Sequence, residues 1–94
     1  MKDQLINVLE LALNYARCCN EFSNAYEEEE KQYEELLHKI KKENYQDFSK
    51  EEINIILDAC DNAYENVEIN GTYNQNTYES DMEDISSIMY KFKN

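Results

Sequence analysis

Cys19-Asn20-Glu21-Phe22-Ser23-Asn24-Ala25-Tyr26-Glu27-Glu28-Glu29-Glu30 is the stretch on which the fold turns. Helix-patterned segments flank it on both sides, and its reading decides whether they form one helix or two. Across it, Leu5, Leu9, Ala12, Ala16, Cys19, Ser23, Tyr26, Glu30, Tyr33, Leu37 and Ile40 step alternately by four and three residues, a heptad seam. Neither Gly nor Pro interrupts the stretch. The spacing therefore predicts one continuous helix from about 2 to 42, with a hairpin broken near Asn20–Asn24 as the alternative. At 1.5 Å per residue such a rod would span roughly 60 Å.

In the first half of this segment Ile6, Val8, Leu13, Tyr15 and Phe22 widen the apolar stripe beyond a coiled-coil seam, as in a globular bundle. The four consecutive glutamates then put charge all around the helix, and Glu30 occupies a seam position where an apolar residue is expected. Lys31 and Lys39 follow Glu27 and Glu35 by four residues, giving supportive pairs. Lys39, Lys41 and Lys42 suit the negative end of the helix dipole. On this reading Tyr26, Glu30, Tyr33 and Leu37 have few partners within the chain, so they are the expected contacts of a homodimer.

Working toward the C-terminus, Ser49-Lys50-Glu51-Glu52 is a capping box: the Ser49 hydroxyl can accept the Glu52 amide while Glu52 reaches back. Ile53, Ile56/Leu57, Cys60, Tyr64 and Val67 follow at helical spacing, so a second helix is expected over about 50–66. Asn70-Gly71 between alternating residues is a type I′ hairpin signal, leaving a small hairpin or a plain loop over 67–79. Ser80-Asp81-Met82-Glu83 is a second capping box, opening a helix over about 81–92 with Met82, Ile85, Ile88/Met89 and Phe92 inward. The expected fold is all-α: a single domain over 1–94, one long N-terminal helix with two shorter helices packed on it.

The 94 residues carry a net charge of −12. Residues 43–90 hold twelve acidic residues against one basic residue, Lys50, and so account for −11. Like charges at this density repel and work against the compact state, so fold stability does not explain them. Acidity also sets the chain against direct nucleic-acid binding, with Arg17 the only arginine. No apolar run approaches the roughly 18 residues of a membrane span, and Asp3, Asn7 and Glu10 interrupt any signal-peptide pattern. The expected location is the cytoplasm, that of the host cell if the chain is phage-encoded.

Three cysteines, an odd number, fit a reducing compartment. Cys19 and Cys60 sit on apolar faces as small core residues, and Cys18 lies one residue off the face. Adjacent cysteines on a helix point about 100° apart, and C-x-x-C spacing is absent, so no metal or cofactor is expected. Phosphate-binding loops, G-x-S-x-G and H-E-x-x-H are also missing, and the lone His38 falls off the seam. The chain is expected to bind rather than catalyse.

The most specific feature is a stripe. Asp58, Asp61, Glu65 and Glu68 recur at three, four and three residues, so they share one helix face with neighbouring carboxylates roughly 5–6 Å apart. Solvated faces ordinarily mix signs, and this one has no basic residue. Tyr64, Tyr73 and Tyr78 lie close by in sequence, and tyrosine supplies large contact area with a polar tip. Glu79, Asp81, Glu83 and Asp84 extend the acidity, although a helix N-terminus favours anions for stability alone. The expected partner-binding set is therefore Asp58, Asp61, Glu65, Glu68, Tyr73, Tyr78, Glu79, Asp81, Glu83 and Asp84.

In size, charge and helicity the chain resembles the small acidic inhibitors that phages use against host defence, such as anti-CRISPR proteins and DNA mimics. It is also similar in type to acidic helical immunity proteins that cap toxic nucleases, from which it departs in lacking proline and a Tyr-Tyr-Pro run. The resemblance implies a partner that handles nucleic acid. The leading expectation is a stoichiometric inhibitor that occupies the basic nucleic-acid groove of a host-defence or nuclease complex. The alternative is a helical adaptor or a coiled-coil homodimer using the first helix, and a further alternative is an immunity protein for a toxic nuclease.

Overall fold

A computed structural model describes residues 2–43, 47–70 and 77–93. They form four helices: α1 Lys2–Asn20, α2 Glu27–Glu43, α3 Lys50–Asn70 and α4 Tyr78–Lys93. The all-α expectation holds. The continuous first helix does not; the alternative hairpin, broken near Asn20–Asn24, forms instead, the chain turning back between α1 and α2 within a body whose longest dimension is 35 Å.

The turn is stapled by Asn20. Its side-chain oxygen accepts the Tyr26 amide at 2.8 Å and its side-chain nitrogen donates to Glu30 Oε1 at 2.9 Å. The end of α1 tightens through Phe22 N–H to the Cys19 carbonyl and Ser23 N–H to the same carbonyl. Asn, Ser and Asn at 20, 23 and 24 offer the backbone local alternatives to the helix. Glu27, Glu28, Glu29 and Glu30 then form the first turn of α2, where the dipole favours negative charge. What looks like a damaged seam is a helix start.

Folding back also gives the seam its partner. Leu5, Leu9, Ala12 and Ala16 of α1 and Tyr33, Leu37 and Ile40 of α2 are all buried in one core. A straight rod would have left both halves for another molecule to cover. Arg17 with Glu34 and Lys41 with Glu10 bridge α1 and α2, which run antiparallel. Tyr33 against Asp58, and Lys39 against Glu52, set α3 antiparallel to α2 in turn. Hence α1 and α3 run the same way. They form the central pair, with α4 laid across both; α2 rests mainly on α1 and touches α3 only sparingly.

The Ser49 box forms as its sequence predicts: Ser49 N–H donates to Glu52 Oε1 at 3.0 Å and Glu52 N–H to Ser49 Oγ at 3.2 Å. Downstream the boundaries move. α3 continues to Asn70, so residues 67–70 are helical rather than one arm of a hairpin, while 71–76 lie outside the described residues. Extension keeps Val67 buried, and the Asn66 side-chain oxygen accepts from Asn14 Nδ2 at 3.0 Å, tying this last stretch to α1. α4 starts at Tyr78, which places Ser80 inside the first turn instead of at the cap. Ile85 and Ile88 are buried, with Met82, Met89 and Phe92 packed against the core as expected. Phe92 meets Phe48 edge to face, centroids 5.7 Å apart, and so ties the end of α4 to the start of α3.

Two aromatic expectations fail. Phe22 sits at the turn and is 89% exposed, since the chain has left the helix there. Tyr64 is 46% exposed, because α3 buries Ile56, Ala59, Cys60, Ala63 and Val67 together with Asn62 and Asn66. The small residues at 59 and 63 let α3 approach its neighbours closely, and the helix rotates to present them.

Candidate functional site

With Ala59, Cys60, Ala63 and Val67 turned inward, the opposite side of α3 carries Asp58, Asp61, Glu65 and Glu68, all exposed. At 100° per residue this stripe lies nearly opposite the core, further out than the quarter-turn offset that an inward Tyr64 would imply. Among the described residues no lysine or arginine forms an ion pair with any of the four; the four bridges present join Arg17 to Glu30 and Glu34, Lys39 to Glu52, and Lys41 to Glu10.

Neutral groups hold the stripe instead. Tyr33 is fully buried, and its hydroxyl donates to Asp58 Oδ2 at 2.6 Å while accepting from Asn62 Nδ2 at 2.8 Å. Burial, then the hydrogen bond to Asp58, pushes the Tyr33 hydroxyl well above the ordinary value of 10.0, so it stays a donor. At the other end Tyr78 donates to Glu68 Oε1 at 2.8 Å. A phenol orients a carboxylate and leaves its negative charge intact, which a lysine would not.

The α4 acids divide. Asp81 and Asp84 are half-buried and accept both protons of the Asn7 side-chain amide, at 3.0 and 2.9 Å, which fastens α4 to α1. These two have a structural task on a different face from the stripe. Glu79 and Glu83 are exposed in the first turns of α4, where the dipole accounts for them. Tyr73 lies outside the described residues.

The expected dimer contacts are absorbed by the monomer. Tyr33 and Leu37 belong to the core, Glu30 is held by Asn20 and Arg17, and Tyr26 packs edge to face on Tyr15 with centroids 5.7 Å apart. A coiled-coil dimer through these positions would require unfolding the hairpin.

The sequence reading missed a groove. Between α2 and α3, Glu28, Glu29 and Gln32 from α2 and Glu51, Asn54, Ile55 and Asp58 from α3 line a shallow, open groove of about 440 Å³. Asp58 belongs to both groove and stripe, so one acidic surface runs continuously from Glu51 to Glu68. The groove depends on how α3 packs against α2; the acidic first turn of a helix after Asn24 was the available signal.

The cysteines do not converge. Cys18 is exposed, Cys19 half-buried and Cys60 buried, and burial pushes the Cys60 thiol up to about 11. Among the described residues no group of three or more His, Cys, Asp or Glu is placed to hold a metal ion, and no helix is long and apolar enough to cross a membrane. The chain matches no protein-family model, no curated protein and no solved structure.

Proposed function

We propose that the protein acts by binding, as a stoichiometric inhibitor that presents the Glu51-to-Glu68 surface to a basic, nucleic-acid-binding face of a host-defence or nuclease complex. One observation carries the reading: among the described residues the stripe acids Asp58, Asp61, Glu65 and Glu68 are exposed and form no ion pair with a lysine or arginine, yet the two at its ends, Asp58 and Glu68, are oriented by tyrosine hydroxyls. A face kept only for solubility has no need of oriented carboxylates. Fixed negative charge at near-phosphate spacing competes with nucleic acid for Lys and Arg, and it steers association in a salt-dependent way.

The test is a competition. Basic nucleic-acid-binding proteins captured at low salt from a lysate of the organism that meets this chain are challenged with their nucleic acid, with and without the protein. Displacement that is lost in Asp61→Lys/Glu65→Lys, with the fold retained by circular dichroism, is the expected result. Undiminished nucleic-acid binding at saturating protein would rule the inhibitor reading out.

A further inference from the structure

On the surface just proposed, the C-terminal end of α3 differs from the rest. It is the place where apolar and aromatic area stands exposed beside the carboxylates: Tyr64 is 46% and Ile69 55% exposed, flanking Glu65 and Glu68. In an amphipathic helix of this length large side chains are ordinarily turned inward, and α3 buries alanines there instead. Tyr78 arrives from α4 with its hydroxyl on Glu68. Tyr64, one turn before Glu68 on the same face, has its hydroxyl raised above 10.0 by the Glu68 charge and hydrogen bond. Both rings therefore converge on one carboxylate.

We infer that Glu68, framed by Tyr64 and Tyr78 and flanked by Ile69, is a receptor for an arginine side chain of the partner protein. The inference rests on the reading of this surface as a binding face. Two phenols fix the carboxylate and leave lone pairs on both oxygens for the guanidinium fork. The flat guanidinium stacks on an exposed tyrosine ring, and the aliphatic stem covers Ile69. A lysine gains the same net attraction but presents a compact, strongly hydrated charge that neither forks nor stacks. Nucleic acid and anionic membrane carry the wrong sign for this face. Glu65 and Asp61, one and two turns earlier, would meet further basic residues of the same segment.

The experiment uses two labelled peptides of equal length and charge, oligo-arginine and oligo-lysine, titrated against the intact protein by fluorescence anisotropy at low salt. Oligo-arginine is expected to bind about five-fold more tightly, the size of one exposed cation–π contact. In Tyr64→Leu, which alters an exposed position, that preference should shrink toward parity while oligo-lysine affinity is kept. In Glu68→Gln both peptides should weaken, arginine the more. Equal affinity of the two peptides for the wild-type protein would overturn the receptor and leave the acidic binding face standing. An arginine preference untouched by both substitutions would place the contact elsewhere and likewise overturn it. If neither peptide binds, the receptor and the binding face fall together.

Discussion

The α1–α2 hairpin and the outer side of α3 handle negative charge in opposite ways. In the hairpin, acids meet cations: Arg17 reaches Glu30 and Glu34, and Lys41 reaches Glu10. On the outer side of α3 and on α4, acids meet neutral donors: Tyr33 on Asp58, Tyr78 on Glu68, Asn7 on Asp81 and Asp84; Glu52, which pairs with Lys39, is the α3 exception. The first solution neutralises charge; the second preserves it while fixing its direction. Exposed ion pairs are worth about 0–1 kcal/mol each, whereas hydrogen bonds to charged groups are worth about 1.5–3 kcal/mol. The outer side of α3 is thus held without discharging it.

The comparison is broken most directly at Tyr33, which belongs to α2 but serves α3. Tyr33→Ala opens a cavity in the core and should cost about 3–5 kcal/mol in urea denaturation. Tyr33→Phe keeps the packing but leaves Asn62 and Asp58 short of a partner, and should cost about 1–3 kcal/mol. A neutral result for the Phe variant would mean that the hydroxyl bridge does not hold the stripe.

Alkaline titration sharpens the same point. The folded values of Tyr33 and Tyr15 lie above the ordinary 10.0, Tyr15 at about 12 through its hydrogen bond with Cys19 and then burial. Raised folded values mean that their contribution is complete below pH 10.0 and is lost as pH rises through the folded values. The urea midpoint should therefore fall above pH 10.0, less steeply in Tyr33→Phe.

On the hairpin side, Asn20→Ala removes both staples of the turn and should cost about 1–2 kcal/mol, by analogy with a lost helix cap. Glu30→Leu removes a single partner of Asn20 and a long contact to Arg17, and should cost at most about 1 kcal/mol. A clear gain in stability from that leucine would instead support a continuous apolar seam. The smallest effect is expected on the stripe: Asp61→Lys/Glu65→Lys should leave the melting temperature unchanged or slightly raised, since it relieves repulsion. A pronounced loss of stability there would show that the stripe carries structural weight.

Helix content, the Ser49 cap, the core of α4 and the exposure of the stripe were legible because each depends on local periodicity or local hydrogen bonding. The turn at residues 21–26 was legible only as the alternative break near Asn20–Asn24, because its heptad spacing survives the break: the same residues that would line one seam line two facing halves of it. Tyr64 misled for a related reason. Side-chain size argued for burial, while the choice of alanine at 59 and 63 was made by the closeness of α1, a tertiary fact. The Glu28–Glu29–Asp58 groove depends on how α3 packs against α2, which local periodicity does not carry.

The pairing of α1 with α3 has a kinetic corollary. Asn14 and Asn66, joined across it, lie 52 residues apart. The hairpin can close early through near neighbours, but the central interface must await a long loop closure, which raises relative contact order and slows a helical bundle. During synthesis α1 emerges with its apolar side only half covered, by α2, until α3 has left the ribosome. A chain stopped at residue 43 would keep α1 without its α3 cover, and such a nascent fragment is the species most exposed to aggregation and to chaperone capture.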